Sequence, residues 1–416
     1  MGNATSAVYS APAADAALAL RHGPPEAVRA GLLAARERTL ALARDLVAAL
    51  GPEARVPYAP GLNPPLWELG HIAWFQEWWI ARNPERALGS AADPGAARAA
   101  SELPGADACY DSSRVAHTLR WELPLPDLAG TLAYLARTLK RTLELLDQLP
   151  EDAGDDALYF FRLTALHEQM HAEAAVYMAH TLGVALRESS VTPTASGAAA
   201  VQVRAQRFEL GSAPGGFAFD NELQPRPVEL AGFAIDAEPV TWGAFLPFVA
   251  AGGYEQAQWW TPQGRAWLQA QRDPGPAGLR PDGDGWEQLR HGQWQRLASQ
   301  QVVTHVSAHE ADAWCRWAGR RLPTEAEWEC AAFTRPGFRW GQAWEWTASV
   351  FEPYPGFTPH PYRDYSQPWF GSRRVLRGAS TATAPALAHA RYRNFFEPHR
   401  NDIFSGFRSV RTQDGP

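Results

Sequence analysis

Cysteine is scarce: three in 416 residues, Cys109, Cys315 and Cys330. That is too few and too scattered for a disulfide framework or a cysteine-rich zinc site, and it fits a reduced, cytoplasmic setting. No apolar run reaches the roughly 18 residues of a membrane span, so no membrane partner is expected. Basic blocks are missing too. The 38 basic and 45 acidic residues are interspersed and leave a net charge of −7, which argues against nucleic acid as a partner. The first twenty residues are alanine-rich with no basic stretch ahead of them, unlike a signal peptide, and residues 1–23 are expected to form a flexible leader.

What is present changes character partway along. Residues 24–188 are rich in Ala, Leu, Arg and Glu, and their periodicity predicts four long helices, over 24–50, 64–82, 127–149 and 155–182. Pro64-Pro65 opens the second, and Gly51-Pro52 stops the first. Leucines at 128, 132, 135, 139, 143 and 146 form one stripe on the third. Four such helices imply a four-helix bundle, a fold that builds metal sites from facing side chains. A Ser/Thr/Pro/Ala/Gly linker is expected at 189–200. Residues 201–416 then hold most of the glycines and prolines and many of the 18 tryptophans in short segments. Helices are expected there only over 308–319 and 325–333, within a loop-rich α+β domain. The fold class is therefore multidomain, α followed by α+β.

Within the fourth helix lies His167-Glu168-Gln169-Met170-His171-Ala172-Glu173. Residues at i and i+4 share a helix face, so both imidazoles can point at one ion. The order also matches H-E-x-x-H, so the motif alone does not separate a hydrolytic zinc site from an iron site. The second helix offers one histidine in an aromatic stretch, Trp67-Glu68-Leu69-Gly70-His71-Ile72-Ala73-Trp74-Phe75. His71 is the natural third ligand beside His167 and His171. Three neutral nitrogen donors with open positions suit a ferrous ion, and zinc would accept them as well.

The second half carries Val302-Val303-Thr304-His305-Val306-Ser307, Arg320-Arg321-Leu322-Pro323-Thr324-Glu325-Ala326-Glu327-Trp328-Glu329, Trp344-Glu345-Trp346-Thr347, Val375-Leu376-Arg377-Gly378-Ala379-Ser380 and Tyr392-Arg393-Asn394-Phe395-Phe396. With the histidines, these segments resemble the nonheme iron sulfoxide synthases of ergothioneine and ovothiol biosynthesis. The resemblance implies a DinB-like four-helix bundle followed by a C-type-lectin-like, formylglycine-generating-enzyme-like (sulfatase-modifying-factor) domain. No cysteine follows Cys330, which sets aside formylglycine generation by the usual cysteine pair.

The resemblance further implies Fe(II) held by His71, His167 and His171, O2 as co-substrate and hercynine as the organic substrate. It assigns Tyr362 as the catalytic tyrosine, with Tyr365 in the hercynine site. Asn394 and Phe395 would line the trimethylammonium and carboxylate of hercynine, and Glu173 would support the site without binding the ion. Met170 stands where the family often has glutamine. Phe396 stands where the type using γ-glutamylcysteine has an aspartate that meets the donor's ammonium group, so that donor is disfavoured. Arg400 is a candidate for an anionic group. The stretch around His71 departs from the usual W-H-L-A-H-T-T-W-F and looks like the branch containing selenoneine synthase. That branch joins hercynine to a selenosugar in an O2-dependent step through a selenoxide. Alternatives are an ergothioneine-type synthase using cysteine or another thiol, and a zinc-dependent DinB-like hydrolase or thiol transferase. Oligomeric state is left open.

Overall fold

The computed structural model describes residues 11–188 and 192–411. The first half is helical. Pro25 at the first helical position starts α2 (Pro25–Leu50), and Gly51, at φ 84°, ends it in a conformation that favours glycine. Helix α3 (Pro65–Gln76) also starts on proline and runs on into a π-helical turn over Glu77–Ala81. After a short α4 (Ala106–Tyr110), α5 (Leu128–Leu146) is capped by Asp127, whose side chain accepts from the Gly130 amide. Helix α6 (Asp155–Thr181) has Asp155 and Asp156 in its first turn, where the helix dipole favours negative charge. It is buried on nearly every face from Leu158 to Gln169, so it is the central helix, packed against α2 and α3.

One expectation for this half needs correction. The leader is helical from residue 11: α1 (Ala11–His22) packs on α2 and α6, with Leu20 in the core. Arg21 anchors it, donating to both carboxylate oxygens of Glu222 at 2.9 and 3.0 Å. Residues 1–10 lie outside the described residues, as do 189–191 of the expected linker. On α5 the buried residues are Thr131, Tyr134, Leu135, Thr138, Thr142, Leu145 and Leu146. Of the leucine stripe, Leu135 and Leu146 are buried, while Leu132, Leu139 and Leu143 are half-buried and line a groove against α2.

The second half is built from short strands. One sheet has the order β1-β4-β13-β8, from Val201–Val203, Phe233–Ile235, Val410–Arg411 and Arg320–Arg321. A second has the order β11-β10-β9-β12, from Asn394–Phe396, Arg374–Ala379, Ala343–Val350 and Ser405–Phe407, with β12 parallel to β9. The hairpin β2 (Gln206–Leu210) with β3 (Arg226–Leu230) and the meander β5 (Leu279–Asp282), β6 (Gly285–Arg290), β7 (Gln293–Arg296) stand apart from these sheets. Helices α9 (Ala308–Trp317) and α10 (Glu325–Thr334) lie where expected, each opened by a capping box from Ser307 or Thr324. Two more, α7 (Trp242–Ala250) and α8 (Pro262–Gln269), correct the expectation of only two. Pro247 inside α7 and the brevity of α8 hid them from a periodicity reading.

The core of this domain joins fully buried tryptophans to buried ion pairs. Arg377 meets Glu325 and Glu329 at 3.1 and 3.0 Å, Arg393 meets Glu325 at 2.9 Å, and Arg408 pairs with Glu345. These account for the Arg377, Glu345 and Glu325 positions of the sequence motifs as scaffold. Among the described residues no helix is long and apolar enough to cross a membrane. All three cysteines are free thiols.

Candidate metal centre and adjoining cavity

Helix geometry puts His167 and His171 one turn apart on the inner face of α6, and α3 brings His71 against them. One nitrogen from each of the three lies within 4.8 Å of the others. His167 Nε2 and His171 Nε2 are 3.1 Å apart. The outer nitrogens are engaged elsewhere: His71 Nδ1 meets the Tyr110 carbonyl at 2.8 Å, and His171 Nδ1 meets Glu68 Oε2 at 2.5 Å. Those acceptors fix the proton on Nδ1 and leave Nε2 as the inward donor, the arrangement in which histidine binds a metal. Burial, with the neighbouring His171 second, lowers the His71 pKa to about 3, and burial likewise holds His167 well below the usual histidine value. Both are neutral at pH 7. The donor set therefore fits a borderline divalent cation such as iron or zinc.

Aromatic rings close the other sides. Phe75 lies flat on His167, with centroids 3.6 Å apart and 7° between planes, and Trp67 lies flat on His71 at 4.9 Å. Tyr362 packs edge-on against Phe75 at 4.9 Å, and its ring centroid is 6.2 Å from that of His167. Burial raises the Tyr362 phenol, reinforced by Asp364 and Asp111, so it keeps its proton at neutral pH.

Glu168, the residue that H-E-x-x-H supplies as a base, points elsewhere. One step along a helix is a turn of about 100°, and the Glu168 carboxylate is buried against Arg36 at 2.7 Å. It is spent on holding α2 to α6. Glu173 is also not among the convergent donors. Its carboxylate accepts from Trp344 Nε1 at 2.7 Å, Ser380 Oγ at 2.8 Å and Thr383 Oγ1 at 2.9 Å, all from the second domain.

Beside His171 a cavity of about 200 Å³ opens between α6 and the β9–β11 sheet. Met170, Glu173, Tyr177, Trp344, Tyr392, Asn394 and Phe396 line it. Strand β11 alternates: Asn394 and Phe396 face the cavity, while Phe395 turns away and stacks on Phe351 at 4.0 Å. Tyr365 is half-buried behind the wall, stacked on Phe219, and its hydroxyl donates to Tyr392 Oη at 3.0 Å. Tyr392 in turn donates to Met170 Sδ at 3.3 Å. Arg400 does not present a free guanidinium: it forms a two-pronged pair with Asp402 at 2.5 and 2.7 Å and lies over the Phe396 ring. Sequence reasoning missed Glu68 and Phe75 as partners of the centre, although both share a helix face with His71 at spacings of three and four.

The chain matches the DinB superfamily over residues 31–179. It matches the sulfatase-modifying factor enzyme 1-like domain over 187–342 and 338–413. Hercynine oxygenase of Mycolicibacterium smegmatis is 33% identical, over 91% of this chain and 96% of that protein. Hercynine oxygenase of Mycobacterium tuberculosis is 32% identical, over 92% and 98%. The chain belongs to this DinB and sulfatase-modifying-factor family. Membership makes it an enzyme of the oxidoreductase class. The formylglycine-generating enzyme of Streptomyces coelicolor, 28% identical over 43% of this chain and 77% of its own length, shares a part only.

Proposed function

We propose that the chain is an O2-dependent nonheme Fe(II) enzyme that joins the imidazole carbon of hercynine to the selenium of a selenosugar. The observation that carries the reading is three convergent imidazoles, one of which, His171, lines an aromatic, partly polar cavity between the two domains. Hercynine relatives of matching length support the first substrate. A ferrous ion held by His71, His167 and His171 would supply the redox chemistry that couples O2 reduction to oxidation of the two organic substrates. The stoichiometry closes: the imidazole C–H and the Se–H give up their hydrogens, a C–Se bond forms, and selenium takes one oxygen atom. The second oxygen atom leaves as water.

The residues of the chain bind and orient. Trp344, Tyr392, Phe396 and Tyr177 give the cavity aromatic faces, which favour a quaternary ammonium that cannot donate a hydrogen bond. The Asn394 amide sits at the same wall for the carboxylate of hercynine. Tyr362 holds a proton close to His167, where a reducible oxygen species would need one. Phe396, where a carboxylate would pair an ammonium, favours a donor without that group, hence the sugar. Cysteine or another thiol is the second reading.

Mass spectrometry of products tests this directly. Protein reconstituted anaerobically with Fe(II) receives hercynine and air, with a selenosugar, its thiosugar analogue, cysteine or γ-glutamylcysteine in parallel. A selenium adduct of hercynine formed only with selenosugar, iron and O2 is expected. Turnover with cysteine alone would move the protein to the thiol branch, and none with any donor would overturn the hercynine assignment.

A further inference from the structure

The three imidazoles differ in what holds their outer nitrogens. His171 Nδ1 faces a carboxylate, Glu68, at 2.5 Å. His71 Nδ1 faces a backbone carbonyl, that of Tyr110, at 2.8 Å. His167 has no hydrogen-bond partner among the described residues beyond His171, and an apolar ring, Phe75, covers its face. An anion draws the Nδ1 proton more strongly than a neutral carbonyl does, and that pull makes the opposite nitrogen a better donor.

We propose that Glu68 is a positioning residue that grades the metal site, making His171 the strongest of the three donors, His71 intermediate and His167 the weakest. The proposal rests on the metal-centre reading above.

Glu68 is built to do this. It is 6% exposed. Its other oxygen accepts from Asn63 Nδ2 at 2.6 Å, and Asn63 Oδ1 accepts from Arg120 Nη1 at 2.9 Å. The Arg120 guanidinium lies 3.8 Å over the Trp67 ring, and Trp67 lies flat on His71. One cation therefore steadies the surroundings of two ligands from α3 and α6. His171 also lines the substrate cavity. The ligand the carboxylate strengthens is thus the one that faces the substrate.

The test uses the full chain, loaded anaerobically with Co(II) and followed by chelator competition and the visible d–d spectrum. Glu68→Gln keeps the shape and removes the charge. It should weaken Co(II) binding by roughly 10- to 100-fold and shift the d–d bands. Arg120→Gln, which leaves the carboxylate in place, should shift them far less. An intact Glu68→Gln protein with wild-type affinity and spectrum overturns the proposal. If that variant does not fold, the Zn(II)-loaded wild type decides by NMR. A His171 Nδ1–H resonance further downfield than that of His71, with none for His167, supports the grading, and the reverse order overturns it. A wild type that binds neither metal sinks the centre itself, which separates failure of the metal reading from failure of the Glu68 role.

Discussion

At the scale of single residues, the cavity wall is set by side chains that differ in how firmly they are held. Met170 accepts a hydrogen bond from Tyr392, which is itself held by Tyr365, so the thioether is one end of a chain through two phenols. Among the described residues Tyr362 has no hydrogen bond of that kind to another phenol; it is placed by packing on Phe75 and by its own burial. Tyr362→Phe should therefore leave metal content unchanged and slow product formation by about 100-fold, within the usual worth of a positioned proton donor. Equal rates for variant and wild type would remove Tyr362 from the chemistry. Phe396 gives a second prediction. Phe396→Asp places a carboxylate in the cavity under the Arg400 guanidinium, 5.1 Å from the ring it replaces. The ratio of kcat/KM for γ-glutamylcysteine over a sugar donor should rise roughly tenfold, as a charge is traded for an apolar contact. A ratio that does not move would show that the donor binds elsewhere.

At the scale of elements, α3 is pressed against α4 by the absence of a side chain. A Cβ at Gly70 would lie 2.2 to 2.4 Å from the Tyr110 ring, and Tyr110 is the residue whose carbonyl holds His71. Gly70→Ala should cost about 1–3 kcal/mol of stability and loosen metal binding in the same variant, read by calorimetry and by chelator competition. Unchanged affinity in a destabilised protein would uncouple α4 from the centre. The four long helices were legible because apolar residues at a 3.6 period, bounded by proline and glycine, have few other readings. The strands were not, since most are two to six residues long and take their burial from other segments. The histidines were legible from spacing within α6. The role of Glu68 and the partners of Glu173 were not, because those partners lie 103 and 171 or more residues away.

At the scale of the whole molecule, α1 is a clasp. Arg21, 1% exposed, pairs with fully buried Glu222 across 201 residues of sequence. Arg21→Ala would leave that carboxylate buried without its cation, a loss of about 3–5 kcal/mol, visible as a lowered Tm and faster proteolysis. A Tm within a degree of wild type would show the clasp to be dispensable. The pH response is also a property of the whole. Burial lowers His305 and His360 to about 4; burial with neighbouring His305 lowers His180, and burial with Arg21 and Arg391 lowers His389, to about 2. The unfolded chain takes up these protons near pH 6.5, while the folded chain refuses them until far lower. Stability is therefore full above about pH 6.5 and falls as pH drops toward 4, by up to about 1.4 kcal/mol per pH unit for each histidine. Calorimetry of the metal-free protein between pH 7.5 and 5 should show a falling Tm, and a flat profile would contradict the buried neutral state.

The carboxylate of Glu173 sits two positions beyond His171, yet among the described residues its hydrogen bonds come from Trp344, Ser380 and Thr383 in the other domain. Heredity feels that arrangement. A helical domain borrowed from one relative and joined to the second domain of another would inherit the histidines intact but meet a foreign set of donors at Glu173. Recombination between members of the family is therefore expected to succeed only when that quartet travels together.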